Sequence, residues 1–386
     1  MHPLRASGLC LLLAACAGLQ PARAVDSAAD LARLGLEGDA VAPWEDGRRT
    51  DGAPGTWEWW YLDARLDDGS TLVVVFSLKP LSEVQGPLRP SVRVDWDRAD
   101  GGTLTRTFEV PAEQLEAATS GCDVRLGPHR FQGDLRTYRV VVEGPDLALD
   151  LTLTSGSTPW RPGAGAIAFG AADEATFHWL PSVPQGRVQG TLRTPAGATT
   201  LEGSGYHDHN WGNAALQTLV HDWYWGRAQV GPYSLITSFI TAESRYGFRT
   251  FPIFYLARGR ELLAGDARRV AFRAGPATTD EVTGKPVSST LQWEYREGAR
   301  GYRVTFERRK DLVRTLFTDG LPPFQRFLAR LAGIDSAYLR FTGEVAVEVL
   351  EGTEVKERHV NDAAVWELMY LGHARTPEAS LTPPAR

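Results

Sequence analysis

Cysteine is nearly absent. The chain holds three, and two of them, Cys10 and Cys16, lie in the apolar N-terminus. A mature chain would then keep only Cys122, so no internal disulfide can staple the fold. Cys122 reads as a buried small hydrophobe. Basic runs are missing as well. The net charge is −6 and no Lys/Arg cluster forms an electrostatic footprint for nucleic acid, which excludes that partner class. No other apolar run is long enough to span a bilayer. HExxH and clustered Cys, which mark common metal sites, do not occur. Neither does the G-x-S-x-G of a nucleophile elbow, despite Gly203-Ser204-Gly205.

What is present begins with an export signal over residues 1–24. Arg5 supplies a short positive region, Leu9 to Ala15 an apolar one, and Leu13-Ala14-Ala15-Cys16 matches a lipobox in which Cys16 becomes the lipidated first residue. The rival cut follows Ala22-Arg23-Ala24. Ala17 after the Cys points, by analogy with enterobacterial sorting, to the outer membrane. The expectation is a periplasmic or outer-membrane-anchored lipoprotein, held to the membrane by its lipid.

A length of 386 residues suggests about two domains. Residues 25–55, rich in Ala, Gly, Asp and Pro, read as a linker with one helical turn around Leu31 to Leu36. Strands follow. Trp57 to Tyr61 starts them, Thr71 to Leu78 is a β-branched run, Val92 to Trp96 alternates, and Leu147, Leu149, Leu151 and Leu153 alternate with polar partners. Tyr233 to Ile240, Phe251 to Ala257, Leu291 to Tyr295, Tyr302 to Phe306 and Val345 to Val349 continue the pattern. One helix is expected where Phe324, Phe327, Leu328 and Leu331 share a face. Trp59-Trp60-Tyr61 echoes Trp223-Tyr224-Trp225, each followed by a glycine turn and an apolar strand. The expected fold is all-β: two tandem antiparallel barrels, over residues 56–170 and 171–375, with one or two short helices and a disordered tail at 376–386. The Pro/Gly-rich stretch Pro159 to Gly163 marks the switch.

The chemistry gathers in Gly203-Ser204-Gly205-Tyr206-His207-Asp208-His209-Asn210-Trp211-Gly212-Asn213. Glycine allows positive φ or close backbone approach, so a strand end or bend is expected here, with a carboxylate in a deep pocket. His221 to Gly226 adds a second aromatic block. In a regular strand Asp208 points away from His207 and His209, so one set should face outward unless a bulge intervenes. His207-x-His209, with His178 or His221, could ligate a metal, yet no supporting motif accompanies it.

Glu58-Trp59-Trp60-Tyr61 and the Gly205 to Gly212 motif together resemble the hydroxyneurosporene synthase (carotenoid 1,2-hydratase) and AttH-like superfamily, over about Trp57 to Gly372. The resemblance implies two lipocalin-like barrels and relatives that hydrate a terminal isoprenoid double bond, cyclise terpenes or catalyse Diels–Alder closure. It makes Tyr206 and Asp208 the catalytic pair, with His178 in Phe177-His178-Trp179 as a third member. Alkene protonation needs an acid, and burial can raise a carboxyl's pKa enough to supply one. Trp211, Trp223 and Trp225 would face the cation. Trp59, Tyr61, His207, His209 and Asn210 would complete the substrate-binding lining. No cofactor or metal is required. The bland alternative has Asp208 capping a turn or pairing with Arg227. Two functions stay open: a cofactor-independent hydratase, cyclase or isomerase acting on an apolar chain, and a lipid carrier that does no chemistry.

Overall fold

The structure, a computed structural model, describes residues 18–319, Phe324 and residues 336–372. Alternating apolar segments have become strands, because alternation buries one face of a pleated ribbon. The first sheet contains β1 (Ala22–Val25), β2 (Trp57–Leu66), β3 (Thr71–Ser77), β4 (Ser91–Asp97), β5 (Thr103–Glu109), β6 (Leu115–Ala117), β7 (Asp123–Leu126), β8 (His129–Gly133), β9 (Thr137–Glu143), β10 (Ala148–Ser155), β11 (Ala166–Phe169), β12 (Ala175–Thr194) and β13 (Gly197–Gly212). Its order is β5-β4-β3-β2-β13-β12-β10-β9-β8-β7-β6, with β11 on β12 and β1 on β11. The second sheet contains β14 (Val220–Val230), β15 (Tyr233–Ala242), β16 (Thr250–Arg258), β17 (Glu261–Ala264), β18 (Val270–Ala274), β21 (Thr290–Glu297), β22 (Arg300–Leu316), β23 (Ala337–Glu351) and β24 (Glu354–Tyr370), in the order β17-β16-β15-β14-β24-β23-β22-β21-β18. A hairpin of β19 (Ala277–Thr279) and β20 (Pro286–Ser288) stands apart.

Both sheets are antiparallel and each curls around its own core, giving two lipocalin-like barrels in tandem. Trp60, Leu62, Phe76, Phe131, Tyr138 and Leu151 fill the first. Trp293, Phe306, Phe341 and Trp366 fill the second. A third apolar cluster takes residues from both sheets, Trp57, Trp179 and Tyr206 from one and Ile236, Ile253 and Tyr255 from the other, and forms the seam between the barrels. The Trp59/Trp223 echo is visible in the topology. β2 lies between β3 and β13, and β14 lies equivalently between β15 and β24.

Two expectations need correction, and a third is narrowed. The switch between barrels falls between Gly212 and Val220, not at residue 170, because β11, β12 and β13 all belong to the first sheet. The stretch Pro159 to Gly163 is a return loop inside that sheet. Residues 25–55 are not a free linker either. Arg23 on β1 grips Asp30 at 2.8 Å and Asp173 at 2.5 Å, and helix α1 (Ala28–Leu34) is capped by Ser27. A short 3-10 turn at Pro43–Asp46 carries Glu45 onto Arg161 at 3.1 Å, with both side chains buried. Finally, of the strand end or bend expected at the central motif, the structure shows the strand end: the motif is the last part of β13, and its glycines serve close approach, since a Cβ on Gly203 would lie 2.3 Å from the Arg65 carbonyl oxygen. The helix expected around Phe324 to Leu331, the C-terminal tail and Cys16 lie outside the described residues, apart from Phe324 itself.

Candidate functional site

Over Gly205 to Asn210 both faces of β13 are buried, so neither half of this polar stretch faces solvent. Residues 205 to 210 are all buried. Alternation therefore sorts the motif into two networks on opposite sides of one strand. Tyr206, Asp208 and Asn210 face the seam. Across β2 they lie opposite Asp63, Tyr61 and Trp59 respectively. Across β12, Asn210 lies opposite Trp179.

Asp208 is held by three donors. The Tyr206 hydroxyl (2.7 Å) and Trp179 Nε1 (2.8 Å) both donate to Oδ2. Asn210 Nδ2 donates to Oδ1 at 2.7 Å. The carboxyl is 7 % exposed. Burial pushes its pKa up to about 6, against the downward pull of the Tyr206 and Trp179 hydrogen bonds. The Tyr206 hydroxyl is pushed far above its ordinary range by the same burial, reinforced by Asp208.

The second barrel closes the seam with one face of β14, β23 and β24. Trp223 and Trp225 on β14 lie opposite Met369 and Glu367 on β24, which in turn lie opposite Tyr338 and Arg340 on β23. The Trp225 ring sits 5.5 Å from the Tyr206 ring. Arg227 crosses the seam to pair with Asp63, Nε donating to Oδ2 at 3.2 Å, and its guanidinium lies 5.4 Å from the Tyr206 ring centre. Tyr61 also donates to Asp63, at 3.3 Å. Glu367 accepts from the Tyr338 hydroxyl at 2.7 Å, and burial raises its pKa. Trp59, Tyr61, Trp223, Trp225, Tyr338, Arg340 and Glu367 all keep partial exposure. The seam thus joins aromatic walls to the buried Asp208 carboxyl and the half-buried Glu367 carboxyl, and a carboxyl so placed can exchange a proton with an apolar guest.

Sequence reasoning chose some of these residues and missed others. Tyr206, Asp208, Asn210, Trp59, Tyr61, Trp223 and Trp225 come together. His178, Trp211, His207 and His209 do not join them. His178 lies across from Trp211, with the rings stacked 4.7 Å apart on the opposite face of the sheet. The two line an open cleft with Arg49, Asp51 and Asn213, and burial lowers the His178 pKa to about 4. Its neighbour Trp179 reaches Asp208 instead, since one step along a strand reverses the face. His207 and His209 point into the first barrel, toward Asp46 and Glu58. Arg227 pairs with Asp63 rather than Asp208. Asp63, Trp179, Tyr338, Arg340 and Glu367 were missed, although period-two counting from Tyr61 reaches Asp63, and counting from Trp366 sets Glu367 on the other face. Among the described residues, the group with metal-ligating geometry is Asp46, Cys122 and His207, so neither His178 nor His221 joins a His207 site.

Comparisons with known proteins agree with this architecture. A family profile described as Diels-Alderase-like matches residues 53–318. The quinolone epoxide rearrangement protein asqO of Emericella nidulans is 27 % identical over 233 residues, covering 54 % of this chain and 60 % of that protein. The acyclic carotenoid 1,2-hydratase of Thiocapsa roseopersicina is 25 % identical over 218 residues, half of each chain. The chain thus spans half to three-fifths of the length of these two relatives. In fold it is similar to CghA, with a TM-score of 0.60 at 16 % identity, over 88 % of this chain and 96 % of that one. CghA has also been crystallised with Sch210972.

Proposed function

This chain belongs to the Diels-Alderase-like family, and on that premise we propose that it is a cofactor-independent enzyme that takes an apolar, isoprenoid-like chain into the seam between its barrels and moves one proton there. The observation that carries the reading is geometric. A buried carboxyl, Asp208, is oriented by Tyr206, Trp179 and Asn210 and faces the aromatic wall of the other barrel. Delivery of a proton from the Asp208/Tyr206 pair to a guest double bond leaves a carbocation. Trp59, Trp223 and Trp225 can stabilise such a cation through their π-faces, at about 0.5–2 kcal/mol each. Capture by water, with the surplus proton returned to the Asp208 carboxylate, makes the protein a hydratase. Capture by a second double bond, followed by loss of a proton to that carboxylate, makes it a cyclase, and direct loss of a different proton makes it an isomerase. Relatives named for hydration and for epoxide rearrangement support this class of chemistry.

The test is turnover of the lipid fraction extracted from the purified protein, in heavy-oxygen water, by wild type and Asp208→Asn. The substitution keeps the shape and removes the acid. General acid–base loss should lower kcat by about 10²–10⁴-fold while retention of the lipid changes less than about threefold. Heavy oxygen in the wild-type product alone identifies a hydratase, and a rearranged skeleton of unchanged mass identifies a cyclase or isomerase. Equal lipid retention by both proteins with no product from either removes the enzyme reading and leaves a carrier.

A further inference from the structure

We propose that the interior of the first barrel is a binding site for one divalent metal ion of the zinc class, ligated by Asp46, His207, His209 and Cys122. The site lies on the opposite face of β13 from Asp208 and is independent of the reading above.

The donor set comes first. A carboxylate oxygen of Asp46, a ring nitrogen of His207 and the Cys122 sulfur lie within 4.8 Å of one another. Donors around a tetrahedral zinc, with bonds of about 2.0–2.3 Å, stand about 3.3–3.8 Å apart, so small side-chain shifts close the site. His209 Nδ1, 3.7 Å from Asp46 Oδ1, is the fourth donor proposed; it lies outside the mutual distance of the other three, so its ring must move to complete the set. All four side chains are sealed from solvent, at 1 % exposure for Asp46, 0 % for each histidine and 4 % for Cys122.

The hydrogen bonds around the two imidazoles decide the case. His207 Nδ1 is 2.8 Å from the Tyr61 carbonyl oxygen. A carbonyl only accepts, so Nδ1 carries the hydrogen. In the neutral ring Nε2 then presents a lone pair, and it faces Asp46 Oδ2 at 3.2 Å. His209 Nε2 is 2.8 Å from Glu58 Oε1. Glu58 is already an acceptor for Arg49 N, Thr50 N and the Thr50 hydroxyl, at 2.6, 2.8 and 2.7 Å. Nε2 of His209 therefore carries that ring's hydrogen, and Nδ1 presents its lone pair. Both His209 Nδ1 and Asp46 Oδ1 are buried without a hydrogen-bond partner. Two lone pairs thus converge on a carboxylate, an arrangement that repels unless a cation lies among the groups. The outward hydrogen bonds, one to a backbone carbonyl and one to a carboxylate, are those that metal-ligating histidines make to fix tautomer and ring orientation.

Two protons could in principle replace the ion, making both rings imidazolium. Protons alone would leave Cys122 a thiol beside Asp46 and 3.7 Å from the Phe131 carbonyl oxygen, whereas a metal ion would take it as a thiolate. A thiolate beside imidazole and carboxylate selects zinc over oxygen-seeking magnesium or calcium. One carboxylate and one thiolate also neutralise a doubly charged ion inside an apolar barrel. The surroundings hold the donors still. Tyr138 donates to Asp46 Oδ2 at 2.5 Å and Trp60 Nε1 to the Asp46 carbonyl oxygen at 3.0 Å, while the Trp60 ring stacks on His209 at 4.6 Å. With four protein donors no position is left for a substrate, so the ion would be structural. It would pin the Pro43–Asp46 turn inside the barrel.

The test uses the full chain, purified without a polyhistidine tag from zinc-supplemented medium. Elemental analysis should find about one zinc per chain. Exchange for cobalt should give a thiolate-to-cobalt charge-transfer band in the near ultraviolet, lost in Cys122→Ser. Glu58→Gln keeps all four ligands but replaces the carboxylate that His209 Nε2 contacts with an amide, and it should lower zinc affinity by about 10–100-fold. Less than about a tenth of an equivalent of bound zinc or cobalt, together with a melting curve unchanged by chelator, would overturn the proposal in favour of protonated histidines. An unchanged cobalt spectrum in Cys122→Ser would overturn it too.

Discussion

Replacing Arg227 by Met should cost this protein about 3–5 kcal/mol of stability, the range for removing one partner of a buried ion pair. The Asp63 and Arg227 side chains are 12 % and 13 % exposed, so water screens them little. Without the guanidinium, the Asp63 carboxylate keeps one identified side-chain donor, the Tyr61 hydroxyl at 3.3 Å, and stays buried at the seam. Its charge already opposes ionisation of Asp208 and Glu367, and that repulsion would then act uncompensated. Asp63→Leu should be comparably harmful, because it strands the guanidinium. The double variant Asp63→Leu/Arg227→Met should lose less than either single one, since an apolar pair of similar volume leaves no charge to desolvate. Denaturant unfolding followed by tryptophan fluorescence gives the four free energies of the cycle. Single losses under about 1 kcal/mol, or a double loss equal to the sum, would refute the reasoning that this pair is desolvated and holds the barrels together.

Two further outcomes concern the N-terminal segment. Arg23 holds the Asp30 carboxyl far below the usual carboxylate range, helped by Ser27, so its contribution to stability is full above the ordinary carboxyl pKa of about 4. It should fade as pH drops from about 5 toward 2, because the unfolded chain takes up the proton first. Amide exchange of β1 and α1 as a function of pH reads this, and Arg23→Met should flatten the dependence. For the N-terminus, we propose an export signal whose removal makes the mature chain begin at a lipidated Cys16, not at Val25. A cut after Ala24 would remove most of β1, whose residues pair with Ala166 to Phe169, and would delete Arg23 with its two ion pairs. Mass spectrometry of the mature N-terminus decides, and Cys16→Ser should leave the protein unprocessed or free of membranes.

Legibility in the sequence followed the range of the interactions involved. Strands such as Ser91–Asp97 and Ala148–Ser155 were readable because alternation is local and each residue reports its own face. The split of the central motif into two faces was readable for the same reason. The identity of the faces was not. Strand periodicity says that Asp208 and His207 diverge, but only the pairing of β13 between β2 and β12 makes both sides interiors. His178 failed on register. The strand was right, and a one-residue step put Trp179 at the carboxyl instead. Asp46 had no local signal at all, since Pro43-Trp44-Glu45-Asp46 sits in a stretch of Ala, Gly and Pro with no period. Its place depends on Tyr138 and His207, 92 and 161 residues away. The switch between barrels was misplaced because Pro and Gly mark any loop, whether it leaves a sheet or returns to it.

The arrangement of β13 bears on how the proposed chemistry could work. A proton donor must keep its geometry within a fraction of an ångström while its guest changes shape. Asp208 has that rigidity from two directions. On its own face three donors fix the carboxyl. On the other face, His207 and His209, both fully buried, anchor the same stretch of main chain to Tyr61, Glu58 and Asp46. A side chain that flexes on a loop could not hold an acid against an apolar guest without admitting water. A strand buried on both faces can, and its cost is the polar network that must satisfy its second face. The density of His, Asp and Asn in this motif therefore reflects two tasks. One set of side chains meets the guest, and the other holds the strand that carries them.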